Sequence, residues 1–194
     1  GQMSLSCADL RLIADISPYL NTCGLVLRKA KGGNYNWTLC KAADASAEYT
    51  RTPSGKIMNS PARAWLWTRI GGTRAESKRV PTEVWGWDQA SCAALIAGYM
   101  ATDGCVVVPK HGRGWISFDS TSRGMLEDFA RLLELRFGIW TNPVSVCEFN
   151  YRRALYQLTI THPQALARFK TAIAVPGIKK VRLAALTTDG VKAR

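Results

Sequence analysis

The stretch ALIAGYMATDGCV, residues 94–106, decides how the rest of the chain is read. Ala94, Gly98 and Ala101 recur at i, i+4 and i+7, which puts them on one stripe of a helix. Small side chains along such a stripe let a second helix backbone come close. The helix is expected over Gln89–Thr102, ending at the Asp103-Gly104 step. Gly104 is expected at positive φ, turning the chain into a strand over Cys105–Pro109. Two helices packed on such stripes would bring their C-terminal ends together. An aspartate at each end would then offer carboxylate oxygens, the donors that hard cations such as Mg²⁺ take.

Working outward, the chain repeats itself. GWISFDSTSRGMLEDFARLLELRFGI (residues 114–139) is echoed by GQMSLSCADLRLIADISPYLNTCGL (residues 1–25). Each opens on strand-like alternation, Ile116 and Phe118 in one, Met3 and Leu5 in the other. Each then enters a helix whose apolar residues keep the 3.6-residue period. These are Met125, Leu126, Phe129, Leu132 and Leu133, against Leu12, Ile13, Ile16, Tyr19 and Leu20. Gly138 and Gly24 stand where a left-handed cap would end the helices. A hairpin follows each: Val26–Lys31 with Tyr35–Lys41, and Trp140–Phe149 with Tyr151–Ile160. A further helix is expected from Ser60-Pro61, carrying Trp65, Leu66 and Ile70, and from His162-Pro163, carrying Leu166, Phe169 and Ile173. Lys78-Arg79-Val80 then parallels Lys179-Lys180-Val181.

The reading is α+β: a full α-β-β-α-β-β-α unit over residues 88–194, preceded over residues 1–87 by a unit without its first helix and strand. Residues 42–57 form a polar insert, expected to be a mobile loop.

The net charge of +12, from 26 Lys and Arg against 14 Asp and Glu, points to a polyanion partner. An apolar content of 47% excludes global disorder. No apolar run reaches the roughly 18 residues of a membrane span, and no secretory pattern opens the chain, so a cytoplasmic protein is expected. The six cysteines include no C-x-x-C pair and only two histidines accompany them, which argues against zinc; buried free thiols are expected.

Ile96-Ala97-Gly98-Tyr99-Met100-Ala101-Thr102-Asp103-Gly104 resembles the nine-residue signature of the LAGLIDADG homing endonucleases. Ile96 replaces the usual leucine. Ala101 stands where an acid is common, a position that varies. Asp103 occupies the position of the metal-binding acid. With the repeat, the resemblance covers nearly the whole chain and is greatest to the endonuclease domain of inteins. Gly1 is not a splicing nucleophile and no His-Asn pair stands near the C-terminus, so splicing is not expected of this stretch.

The resemblance implies a pseudo-twofold fold with antiparallel saddle sheets. It implies a site-specific double-strand cut that depends on Mg²⁺ or Mn²⁺, with the metal at Asp103 and Gly104. It also implies an active-site lysine at Lys78, before the Val80-Pro81 step, with Lys179 as the second-copy equivalent. The matching acid would come from an upstream segment or a second chain, and the stretch alone would be inactive or a nickase. Asp15 is no substitute, because it falls inside the wrong helix.

Double-stranded DNA would lie on the saddle, contacted from strands and turns. The candidates are Arg28, Lys29, Lys31, Asn34, Tyr35 and Asn36, then Lys110, His111, Arg113, Tyr151, Arg152 and Arg153. Trp37 and Tyr156 are expected on the buried side. The rival reading is a non-cleaving regulator or RNA maturase on the same fold, against which Asp103 and Lys78 both argue.

Overall fold

The computed structural model describes residues 4–32, 35–42, 50–51, 57–58, 69, 74–147 and 154–187. They form two units, Gly1–Thr73 and Arg74–Arg194.

The first unit runs β1 (Ser4–Ser6), α1 (Leu10–Thr22), β2 (Leu25–Lys29), β3 (Asn36–Lys41), β4 (Thr50–Arg51) and β5 (Ile57–Met58). The Asp9 carboxylate starts α1 by accepting from the N–H groups of Arg11 and Leu12 at 3.0 and 3.4 Å. Pro18 lies inside α1 without ending it. The helix stops at Gly24, whose φ of 65° is left-handed, and buries Leu12 and Ile13. The sheet has the antiparallel order β1-β3-β2, with Leu5 and Lys29 both opposite Trp37. The expected polar loop is corrected in part. Thr50 pairs with Met58 and Arg51 with Ile57, a strand pair too short for alternation to reveal. The helix expected from Ser60-Pro61 lies outside the described residues, Arg69 excepted.

The second unit runs α2 (Gln89–Asp103), β6 (Gly104–Val107), β7 (Trp115–Ser120), α3 (Arg123–Phe137), β8 (Ser145–Cys147), β9 (Leu155–Ile160), α4 (Pro163–Ala172) and α5 (Ile178–Ala185). The expected α-β-β-α-β-β-α order is therefore present, closed by α5. The four strands are antiparallel in the order β6-β7-β9-β8. Asp88 caps α2 by accepting from Ser91 N–H at 2.7 Å, and Ser122 caps α3 by accepting from Met125 N–H at 3.2 Å. α3 ends at Gly138, φ 60°, and α4 begins on Pro163. One sheet face carries Ile116, Phe118, Leu158 and Ile160, all fully buried with Phe129, Leu132, Leu133 and Phe169 from the helices. Phe118 stacks on Phe129 with ring centroids 6.2 Å apart and meets the edge of Phe169 at 6.1 Å.

The repeat read from sequence is visible in the topology. β1, α1, β2 and β3 correspond to β7, α3, β8 and β9, and the order β1-β3-β2 matches β7-β9-β8. Among the described residues the first unit holds no counterpart of α2 or β6. Residues 74–87, read from sequence with the first half, pack in the second unit: Val80 and Val84 are buried there, and Arg79 pairs with Asp128. The parallel between Lys78-Arg79-Val80 and Lys179-Lys180-Val181 does not extend to structure. Val80 is buried between two 3-10 turns, whereas Val181 is exposed on α5.

All six cysteines are free thiols, but the expectation that they are buried holds for Cys92 alone. Burial pushes the Cys92 thiol pKa up. No described helix is long and apolar enough to cross a membrane.

Candidate active site at the end of the second-unit helix

Asp103 is the last residue of α2 and is exposed. The Thr102 hydroxyl, which donates to the Tyr99 carbonyl at 3.1 Å, lies 3.5 Å from its Oδ2. Gly104, buried beneath it, corrects one expectation: its φ is −87° and ψ 162°, ordinary extended backbone. Glycine is required there by crowding. A Cβ would sit 2.2 Å from Met100 Sδ and 2.7 Å from the Met100 carbonyl oxygen. The helix can therefore pass directly into β6, with Gly104 opposite Phe118 and the carboxylate held at the sheet's end.

A helix end leaves its last carbonyls without intrahelical donors. Lys179 supplies two of them: its Nζ donates to the Met100 carbonyl at 3.1 Å and the Thr102 carbonyl at 2.9 Å. The side chain thus fixes the turn that carries Asp103. Exposed along α2 are Ala90, Ala94, Gly98 and Thr102; Ala101 of the small stripe is buried. A Cβ at Gly98 would meet nothing within 4 Å.

Asp103 borders a cavity of about 360 Å³ that Lys78, Tyr99, Asp119, Ser120 and Leu155 also line. Lys78, expected to act with Asp103, is thus on the same cavity wall. Two contacts hold its backbone. The Ser122 hydroxyl donates to the Lys78 carbonyl at 2.6 Å. Next in the chain, Arg79 donates twice to the Asp128 carboxylate at 2.6 and 2.5 Å, while Asp128 also accepts from Val80 N–H at 3.1 Å. The carboxylate beside it raises the Arg79 pKa, first through these hydrogen bonds.

Asp119 and Tyr99 were missed from sequence. Tyr99 stands four residues before Asp103, one turn away on the same side of α2. Its hydroxyl donates to the Asp119 carbonyl at 2.8 Å, and burial pushes its pKa up to about 12. Gln157 on β9 donates to Asp119 Oδ1 at 2.8 Å, which orients that carboxylate. The alternation Ser117, Asp119 against Ile116, Phe118 was the signal for Asp119: it shares the polar sheet face.

The DNA-contact candidates divide by strand face and by sheet end. Arg28 lies opposite Thr38, which lies opposite Ser4, so these share a face with Asn36 and Ser6. Asn36 Oδ1 accepts from the Ser6 hydroxyl at 2.7 Å. Lys29 stands on the other face, opposite Trp37, whose indole N–H donates to the Cys7 carbonyl at 3.1 Å. Lys31 and Tyr35 are exposed around the turn. Lys110, His111 and Arg113 are exposed in the β6–β7 turn, where Gly112 takes φ 86°. That turn is at the far end of the sheet from Asp103, because Val107 pairs with Trp115 while Gly104 pairs with Phe118. Asn34, Tyr151, Arg152 and Arg153 lie outside the described residues.

Among the described residues, no group of three or more His, Cys, Asp and Glu could hold a metal ion. The cavity wall carries two carboxylates, Asp103 and Asp119, and Ser120, whose hydroxyl oxygen accepts from Ser122 N–H at 3.0 Å. No curated protein matches the chain. A family model described as a LAGLIDADG-like domain matches residues 90–174, from the first turn of α2 to just past α4, and the second unit's α+β fold with an antiparallel sheet is consistent with the homing-endonuclease fold.

Proposed function

We propose that this protein is a metal-dependent DNA endonuclease of the homing type, in which Asp103 serves the cut of one strand. The observation that carries this reading is the shared cavity. A helix-end carboxylate, a lysine and a second carboxylate line one space at the end of an antiparallel sheet. The net charge of +12 supplies long-range attraction for the polyanion. A pure binder gains nothing from two acids facing phosphate, since each repels the backbone it must approach.

Asp103 and Asp119 would hold the Mg²⁺ or Mn²⁺ ion. When bound, the ion polarises the scissile phosphate and lowers the pKa of water. Lys78 would place positive charge beside the phosphate as negative charge grows on it. Gln157 orients Asp119, and Lys179 holds the α2 turn that delivers Asp103. Gly98 and its exposed neighbours would receive a second helix of the same kind, from another segment or another copy, for the cut of the second strand.

The test is incubation with a plasmid library, with and without Mg²⁺. Nicked or linear products that require the metal support the proposal. Salt-sensitive binding without scission, at every metal concentration, would favour a regulator or maturase instead.

A further inference from the structure

Trp140 is 45% exposed and makes two ring contacts. The Arg168 guanidinium carbon lies 4.9 Å from the ring centroid. Arg168 is itself fixed by donating to the Gly138 carbonyl at 2.6 Å. The His162 ring meets Trp140 edge-on, with centroids 5.8 Å apart.

Beside this ring opens a cavity of about 400 Å³, lined by Trp140, Thr141, Asn142, Thr161, His162 and Gln164. It is separate from the cavity at Asp103. Leu155, at one end of β9, borders that one, and Thr161, just past the other end, borders this one. At the strand rise, six residues set them roughly 20 Å apart.

The lining selects its ligand. None of the six lining residues is Lys, Arg, Asp or Glu; the nearby Arg168 guanidinium lies over the Trp140 ring. Asn142 is oriented: its Nδ2 donates to the hydroxyls of Thr159 and Thr161 at 2.8 and 3.2 Å, and its N–H donates to the Thr159 carbonyl at 2.8 Å. Its Oδ1 accepts from none of the described residues. An exposed aromatic ring beside amide and hydroxyl groups matches a neutral planar heterocycle with donors and acceptors on its edge. In a chain of net charge +12, the partner that carries such rings on a polyanion is nucleic acid.

We propose that the Trp140 cavity takes one unpaired nucleobase, stacked on the indole and read at its edge by Asn142 and Gln164. The base must be unpaired, because stacking neighbours cover both faces of a base inside a duplex. The proposal rests on the nucleic-acid reading above but not on cleavage.

The experiment follows the indole N–H resonance of Trp140, assigned by its absence in Trp140→Leu. The protein is titrated with a short single-stranded oligodeoxynucleotide of mixed sequence, and separately with an abasic oligonucleotide bearing the same phosphates. The expected result is an upfield shift with the first and none with the second. Trp140→Leu and Gln164→Ala should each weaken the base-bearing oligonucleotide, by about tenfold or more for the tryptophan, while duplex binding stays within about twofold. An unmoved Trp140 resonance in a protein that binds the oligonucleotide would overturn the proposal, as would equal shifts with both probes. Gln164→Ala keeps the test open should Trp140→Leu not fold. A protein that binds neither duplex nor oligonucleotide would overturn the nucleic-acid reading as well.

Discussion

The Lys179 ammonium lies 2.9 Å from the main-chain oxygen of Thr102, immediately before the carboxylate that ends α2. A cation there meets the negative end of the helix and satisfies carbonyls that lack other helical donors. Lys179→Met should therefore lower stability by about 1 kcal/mol, read as the urea midpoint, and Lys179→Arg should retain most of it. An unchanged midpoint in Lys179→Met would remove the capping role.

Asp128 ties residues 79 and 80 to α3 through Arg79 and the Val80 N–H. The carboxylate is buried while the arginine is largely exposed, so solvent discounts the ion pair itself. Asp128→Ala still strands the buried Val80 N–H, and a loss of about 2 kcal/mol is expected. Because Lys78 precedes this anchor, scission should fall further than the stability loss explains. Equal activity at matched folded fraction would contradict that coupling.

Two glycines of one helix region should behave oppositely. Gly104→Ala places a methyl 2.7 Å from the Met100 carbonyl oxygen, backbone that cannot swing aside, and should cost more than about 2 kcal/mol. Gly98→Ala meets nothing and should stabilise the unit by about 0.5–1 kcal/mol. Thermal melts of the two variants distinguish packing at Gly104 from backbone freedom. Gly98→Leu should also fold but lose scission, if a second helix must seat there.

What the sequence showed was what is local. Helix periods, the left-handed glycines at 24 and 138, and Pro163 opening α4 all depend on residues a turn or two apart. So does the nine-residue signature that singled out Asp103. What escaped depends on register and distant packing. Gly104 is constrained by Met100 and its extended φ gives no hint of this. Asp119 reaches the cavity only because β7 pairs with β9 and Gln157 turns its carboxylate. Lys179, expected beside the phosphate, is found on the carbonyls of α2, which no spacing along the chain reveals. Residues 74–87 side with the second unit through the Arg79–Asp128 pair and the buried Val80 and Val84.

Tyr99 carries a pH signature. Burial raises its folded pKa from 10.0 to about 12, so the folded state keeps the proton after the unfolded state has lost it. Its contribution is complete below pH 10 and is lost as pH rises toward 12. Stability should decline across that window by about 2 kcal/mol, and Tyr99→Phe should flatten the decline. Identical alkaline profiles for the two proteins would contradict the assignment.

The most direct test of the account compares Asp103→Asn with the wild type in one assay that records both DNA binding across a salt series and Mg²⁺-dependent strand scission. Asp103→Asn should bind DNA at least as tightly, with an unchanged salt slope, because it removes a repelling charge, and should lose the scission that the wild type performs. Scission that survives the substitution, or a binding loss that accounts for all of the missing scission, would contradict the role given to this carboxylate.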